Sequence, residues 1–129
     1  MKMIKITKDS DSCDICKIAL AIHQLSGGLP ITMRTKLRKG VRVEKGRVVD
    51  MNYTGPVLEE ALSKGIPVRK TPTKGRYKGL PIRVVPIFND QQETIAAIGI
   101  VDITMGIFDD LMLITSRPEI RKLREQNML

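Results

Sequence analysis

Two apolar runs, residues 81–88 and 94–104, flank the polar stretch Asn89-Asp90-Gln91-Gln92-Glu93. A connection this short joins antiparallel strands, because parallel neighbours need a crossover of about a dozen residues or more. Both runs are apolar at nearly every position, so they are expected at the centre of a sheet, covered on two sides. A second hairpin is written into Val41-Arg42-Val43-Glu44-Lys45-Gly46-Arg47-Val48-Val49, where two valine-rich arms meet at a Lys-Gly turn and glycine supplies positive φ. Two hairpins argue against a βαβ nucleotide-binding sheet. Neither GxGxxG nor GxxxxGK[ST] occurs.

The remaining chain supplies helices and further strands. Ile15, Ile18, Ile22 and Leu25 recur on one helical face, which predicts a helix from Asp11 or Ser12 to Ser26, capped by Asp11 and ended by Gly27. Residues 29–37 alternate as a half-buried strand with Ile31, Met33 and Leu37 inward. Thr54 stands as a hydroxyl cap ahead of Pro56, Glu59 and Glu60, predicting a short helix to Lys64 ended by Gly65. Residues 66–70 read as a strand and 71–79 as a basic, glycine-broken connection. From Met105 the pattern turns helical, with Ile107, Leu111 and Ile114 on one side and a restart at Pro118. The expected fold class is α+β: one domain over residues 1–129, an antiparallel sheet of five to six strands flanked by helices, and an outgoing helical segment at about 105–129.

At 129 residues, with 42% hydrophobic and 28% charged side chains, the chain can build one core without a metal or disulfide staple. Its longest apolar stretch, 95–101, falls far short of the roughly 20 residues that span a bilayer. The N-terminal stretch lacks the apolar block and cleavage site of a secretory signal, so a cytoplasmic location and no membrane partner are expected. A net charge of +8 and a pI near 9.8 favour an anionic partner, either a small metabolite or nucleic acid. Tyr53, Tyr77, Phe88 and Phe108 are the only aromatics, too few for base-stacking platforms.

Several residues are candidates for a site. Arg34 and Arg42, on neighbouring strands, carry planar forks suited to a carboxylate or phosphate; solvated strand faces are the plainer reading. Tyr53, Thr54 and Gly55 lead into a helix start, where free amides hold anions, although capping alone explains them. Ala97 and Gly99 share one strand face and permit close approach of a ligand or, more simply, of a helix. Asp102 and Thr104 stand where the last strand passes into the outgoing segment and are assigned structural or signalling roles. Lys74, Arg76 and Lys78 form a flap over a phosphate or a soluble loop. Cys13 and Cys16 are spaced as a redox pair or as two half-buried thiols. His23, about 10 Å from Cys16 along the helix, cannot share a metal ion with it. No metal site, catalytic set or cofactor is identified.

Gly65-Ile66-Pro67-Val68, Arg83-Val84-Val85-Pro86-Ile87 and the run from Ile95 to Thr104 together resemble the closing half of PAS and GAF sensor domains. Gly28-Leu29-Pro30-Ile31-Thr32-Met33-Arg34, Gly40-Val41-Arg42-Val43-Glu44 and Tyr53-Thr54-Gly55-Pro56-Val57-Leu58-Glu59-Glu60 are similar to an uncharacterised, methanogen-associated archaeal domain family. The first resemblance implies a PAS/GAF-like, profilin-like architecture; the second supplies no catalytic residues. The leading expectation is a stand-alone small-molecule-binding regulatory or sensory domain that signals through a homodimer or partner protein. The alternatives are a basic nucleic-acid-associated protein and a thiol-redox protein.

Overall fold

A computed structural model describes residues 3–102; Thr104 and the helical segment expected at about 105–129 lie outside them. Helix α1 spans Ser12–Leu25 and starts on a capping box: Asp11 accepts from the Asp14 amide and Asp14 accepts from the Asp11 amide, both at 3.0 Å. It buries Ile15, Ala19 and His23, whereas Leu25 is 87% exposed. Ile18 and Ile22 of the expected stripe pack against the same core, but the stripe is corrected at its end, because the buried i, i+4 row runs to His23 and leaves Leu25 on the solvent side.

Six strands follow among the described residues: β1 (Ile31–Thr35), β2 (Gly40–Glu44), β3 (Arg47–Tyr53), β4 (Val68–Lys70), β5 (Ile82–Phe88) and β6 (Thr94–Val101). They form one open sheet in the order β3-β2-β1-β6-β5-β4, with every neighbouring pair antiparallel. With the two helices among the described residues this is an α+β arrangement. The Lys-Gly turn has positive φ at both Lys45 and Gly46, as a tight hairpin turn of the I′ kind requires. The β2–β3 pairing is less regular than expected and shifts register on either side of Arg42. Gly40 sits at that irregularity, where a Cβ would lie 1.8 Å from the Met33 carbonyl oxygen.

Strand β1 is shorter than the alternation suggested, and Leu37 is 66% exposed. Thr32 and Thr35 are buried beside Ile31 and Met33, because β1 is covered on both faces. The strand expected over 66–70 begins only at Val68 and leaves Ile66 exposed. Strand β6 is central, but β5 stands one place from the edge, with Val85 and Phe88 substantially exposed. The expectation that both runs are covered on two sides is therefore corrected for β5.

Helix α2 (Pro56–Lys64) ends at Gly65, whose φ of +65° and amide bond to the Ala61 carbonyl close it. Gly55, and not Thr54, occupies its N-cap, with no side-chain hydrogen bond. The sheet separates two cores. One joins Ile15 and Ala19 of α1 to Ile31, Met33, Val41 and Val43. The other joins α2, through Val57, Leu58 and Ala61, to Val84, Ala97 and Val101. To reach β4 from β3, the chain must pass from one edge of the sheet to the other, and it does so across the second face. Among the described residues, no helix is long and apolar enough to cross a membrane.

Candidate functional site

The crossover builds the candidate site. Thr32 pairs with Arg42, which sets both on the α2 face of the sheet, and Glu44 follows Arg42 on that same side. Arg42 donates through Nη1 to Glu44 Oε2 at 2.7 Å, and the Tyr77 hydroxyl donates to the same oxygen at 2.5 Å. Arg76 Nη2 lies 3.6 Å from Glu44 Oε1. Tyr53 meets Tyr77 edge to face, with centroids 6.2 Å apart. One carboxylate therefore holds the strap formed by residues 71–79 down onto the sheet.

Burial pushes the Glu44 carboxyl up, but hydrogen bonds from Tyr77 and Arg42, together with the charges of Arg42 and Arg76, outweigh it and hold the group below the ordinary carboxylate value. Burial, then the bond to the Glu44 carboxylate, pushes the Tyr77 phenol up. Tyr77 is thus a fixed donor and Glu44 a fixed anion.

Beneath the strap is a crevice lined by Thr32, Tyr53, Val57, Tyr77 and Val84, with Lys74 and Arg76 also on its wall. The start of α2 at Gly55 lines it too, with backbone amides that no side chain caps. Its free volume is about 10 Å³. That is the room one water needs, so nothing larger enters while the latch is closed.

The structure places the remaining candidates apart from one another. Arg34 does not join Arg42 in a clamp: it donates to the Thr54 hydroxyl at 2.8 Å and to the Thr35 and Lys36 carbonyls. Thr54 is thereby an acceptor for Arg34 and not a helix cap. Ala97 is packed in the core beneath α2, and a Cβ on Gly99 would lie 2.9 Å from both Thr32 Oγ1 and Val84 Cγ2. Asp102 donates its amide to the Pro81 carbonyl and faces Arg69 Nη2 at 3.4 Å. Cys13 is exposed and Cys16 half-buried; the Cys16 thiol donates to the Cys13 carbonyl at 3.5 Å. Among the described residues, no group of three or more His, Cys, Asp and Glu side chains could hold a metal ion.

Glu44 and Tyr77 escaped the sequence reading. The available signal was Arg42 and Glu44 two apart on one strand, with a tyrosine among the basic residues of the strap. His23, which the helix spacing excludes as a metal co-ligand of Cys16, is a buried tie: the Gly46 amide donates to Nε2 at 2.9 Å, so Nδ1 carries the hydrogen donated to the Leu29 carbonyl at 2.8 Å.

The family described as "Uncharacterized protein conserved in archaea (DUF2111)" matches residues 22–104. "Uncharacterized protein MJ0405" of Methanocaldococcus jannaschii is 50% identical over 120 residues, which cover 93% of this chain and 91% of that protein. No solved structure matches the chain.

Proposed function

The chain belongs to this uncharacterised archaeal family, and we propose that it acts there as a stand-alone, PAS/GAF-like cytoplasmic regulatory domain, binding a small anionic metabolite under the strap and signalling through a dimer or partner. The observation that carries the proposal is the Glu44 latch. A single carboxylate closes a crevice whose wall carries Lys74, Arg76 and the uncapped start of α2. These are groups that favour an incoming carboxylate or phosphate. Arg42, Tyr53, Thr54 and Gly55 belong to this neighbourhood, whereas Arg34, Ala97 and Gly99 support it from behind.

Because the closed crevice has room for one water, binding must displace Tyr77 and the strap from Glu44. The ligand's affinity is reduced by the fraction of chains that are open. This opening is the step through which ligand occupancy reaches the rest of the chain.

Thermal unfolding against a panel of carboxylated and phosphorylated metabolites tests the reading. A true ligand at a hundred times its Kd stabilises the fold by about 2.7 kcal/mol. Lys74→Ala with Arg76→Ala should remove that stabilisation while leaving the unliganded melting temperature nearly unchanged. A panel that shifts nothing argues against the reading.

The net charge of +8 favours one other reading, nucleic-acid association. Its signature is affinity for duplex DNA or RNA that falls steeply with salt. Absence of binding at low salt removes it.

A further inference from the structure

Glu44 is held as the carboxylate of a bound ligand would be, although it belongs to the chain itself. Both of its oxygens are engaged: Oε2 accepts from Arg42 Nη1 at 2.7 Å and from the Tyr77 hydroxyl at 2.5 Å, while Arg76 Nη2 stands 3.6 Å from Oε1. The donors come from two places, Arg42 from β2 and Arg76 with Tyr77 from the strap. Guanidinium forks and a phenol aimed at one planar anion are the donor set that recognises a carboxylate. Only a tether distinguishes Glu44 from a guest.

Glu44 also has a second partner within reach. In the β2–β3 register it stands directly opposite Arg47, so the two side chains leave the same face of the sheet with Cβ atoms about 5 Å apart. Arg47 is exposed. A rotation of the Glu44 side chain toward Arg47 exchanges one arginine for another and frees Arg42, Arg76 and Tyr77 together. Asp50, opposite Arg42 in the register, is engaged by the Asn52 amide at 2.8 Å.

We propose that Arg42, Arg76 and Tyr77 form a carboxylate receptor in which Glu44 is the resident occupant, and that the ligand of the crevice is a carboxylic acid anion whose carboxylate takes Glu44's place. This rests on the crevice being a binding site, as proposed above, and narrows its ligand from anions in general to carboxylates. The exchange keeps charge balanced: one carboxylate leaves the donors as another arrives, so neither arginine is left without an anion. A phosphate dianion brings more charge than Glu44 removes, and a neutral ligand replaces charge-assisted bonds with weaker ones. The guest holds the strap as Glu44 does, but it leaves Glu44 on Arg47, at the tip of the β2–β3 hairpin.

Glu44→Ala in the full-length protein empties the receptor and leaves its three donors in place. The probe is sodium acetate, with sodium chloride and sodium phosphate at matched ionic strength as comparators. The readout is amide exchange at Gly79 and Leu80, whose bonds to the Pro72 and Tyr77 carbonyls lie within the strap and at its end. Both amides should lose protection in the variant. Acetate at about ten times its Kd should restore it by about 11-fold, saturably, where chloride and phosphate do not. The wild type should not respond, because a tethered carboxylate outcompetes a free one. Glu44→Gln, which fills the space with a neutral group, and Glu44→Ala combined with Arg42→Ala, which removes a donor, should not respond either. Where alanine leaves the chain partly unfolded, the same titration is read as a rising folded population. An acetate effect that is absent, that chloride or phosphate matches, or that survives the loss of Arg42 overturns the proposal. Each of these leaves the crevice itself to be judged by the metabolite panel on the wild-type chain.

Discussion

Removing one hydroxyl should unlatch the strap while leaving the core in place. In Tyr77→Phe the ring remains, so its edge-to-face contact with Tyr53 and its place in the core, where Tyr77 is 5% exposed, are retained. What is lost is the 2.5 Å hydrogen bond to Glu44, which still keeps Arg42 at 2.7 Å and Arg76 at 3.6 Å. Hydrogen bonds to charged groups contribute about 1.5–3 kcal/mol; with two cations still serving the carboxylate, the lower end applies, about 1.5–2 kcal/mol. If the bond closes the strap, local opening becomes more frequent by about 10- to 30-fold. Native-state amide exchange reads this directly, since the Gly79 amide bonds the Pro72 carbonyl and the Leu80 amide bonds the Tyr77 carbonyl. Both amides should exchange about 10- to 30-fold faster in the variant. The slowest amides of β1 and β6 should follow only the change in global stability. Strap amides exchanging at wild-type rates would refute the latch. Equal acceleration of every amide would refute its local character.

Glu44 also predicts a pH response. Its carboxyl titrates below the ordinary value in the folded state, so its contribution to stability is complete above the unfolded glutamate value of about 4.3 and disappears as pH falls through the lower folded value. Urea unfolding between pH 7 and pH 3 should show Glu44→Gln less stable at neutral pH but with a flatter acid limb; parallel limbs would contradict the assignment. His23→Ala strands the Gly46 amide and the Leu29 carbonyl, at about 1–3 kcal/mol for each group left unsatisfied. A loss well under about 1 kcal/mol in chemical denaturation would show that water replaces the ring without penalty. Gly40→Ala, with its Cβ driven against the Met33 carbonyl, should destabilise by about 3 kcal/mol. Gly46→Ala meets no neighbour but inherits a φ of +79°, and should lose only about 1–2 kcal/mol. Reversal of that order would sink the account of the β2 irregularity.

Element types and pairing direction were legible in the sequence because turn chemistry and apolar periodicity are local signals. Lys45-Gly46 fixed one hairpin, the 89–93 turn fixed the other, and Asp11 marked the start of α1. Cover was not local. Whether Leu25, Leu37 or Val85 meets another layer depends on which strands each helix reaches across, and no window of sequence contains that information. The same limit explains the site. Glu44 and Tyr77 come from opposite sides of the α2 crossover, and only the folded sheet brings them together. Arg34 and Arg42 do lie on neighbouring strands, as read, but each has a nearer partner: Thr54 for one and Glu44 for the other.

The adjacency of β1 and β6 has a kinetic consequence. The α1–β3 portion is stitched by short connections and the β4–β6 portion by the strap and one short hairpin, and within the sheet the two are paired only along β1 and β6, from Ile31 opposite Ile100 to Thr35 opposite Ala96. That seam closes a long loop, so its entropy must be met before any of its contacts is gained. Substitutions along the seam, such as Met33→Ala, should therefore slow refolding, whereas equally destabilising changes at the β2–β3 tip should mainly hasten unfolding.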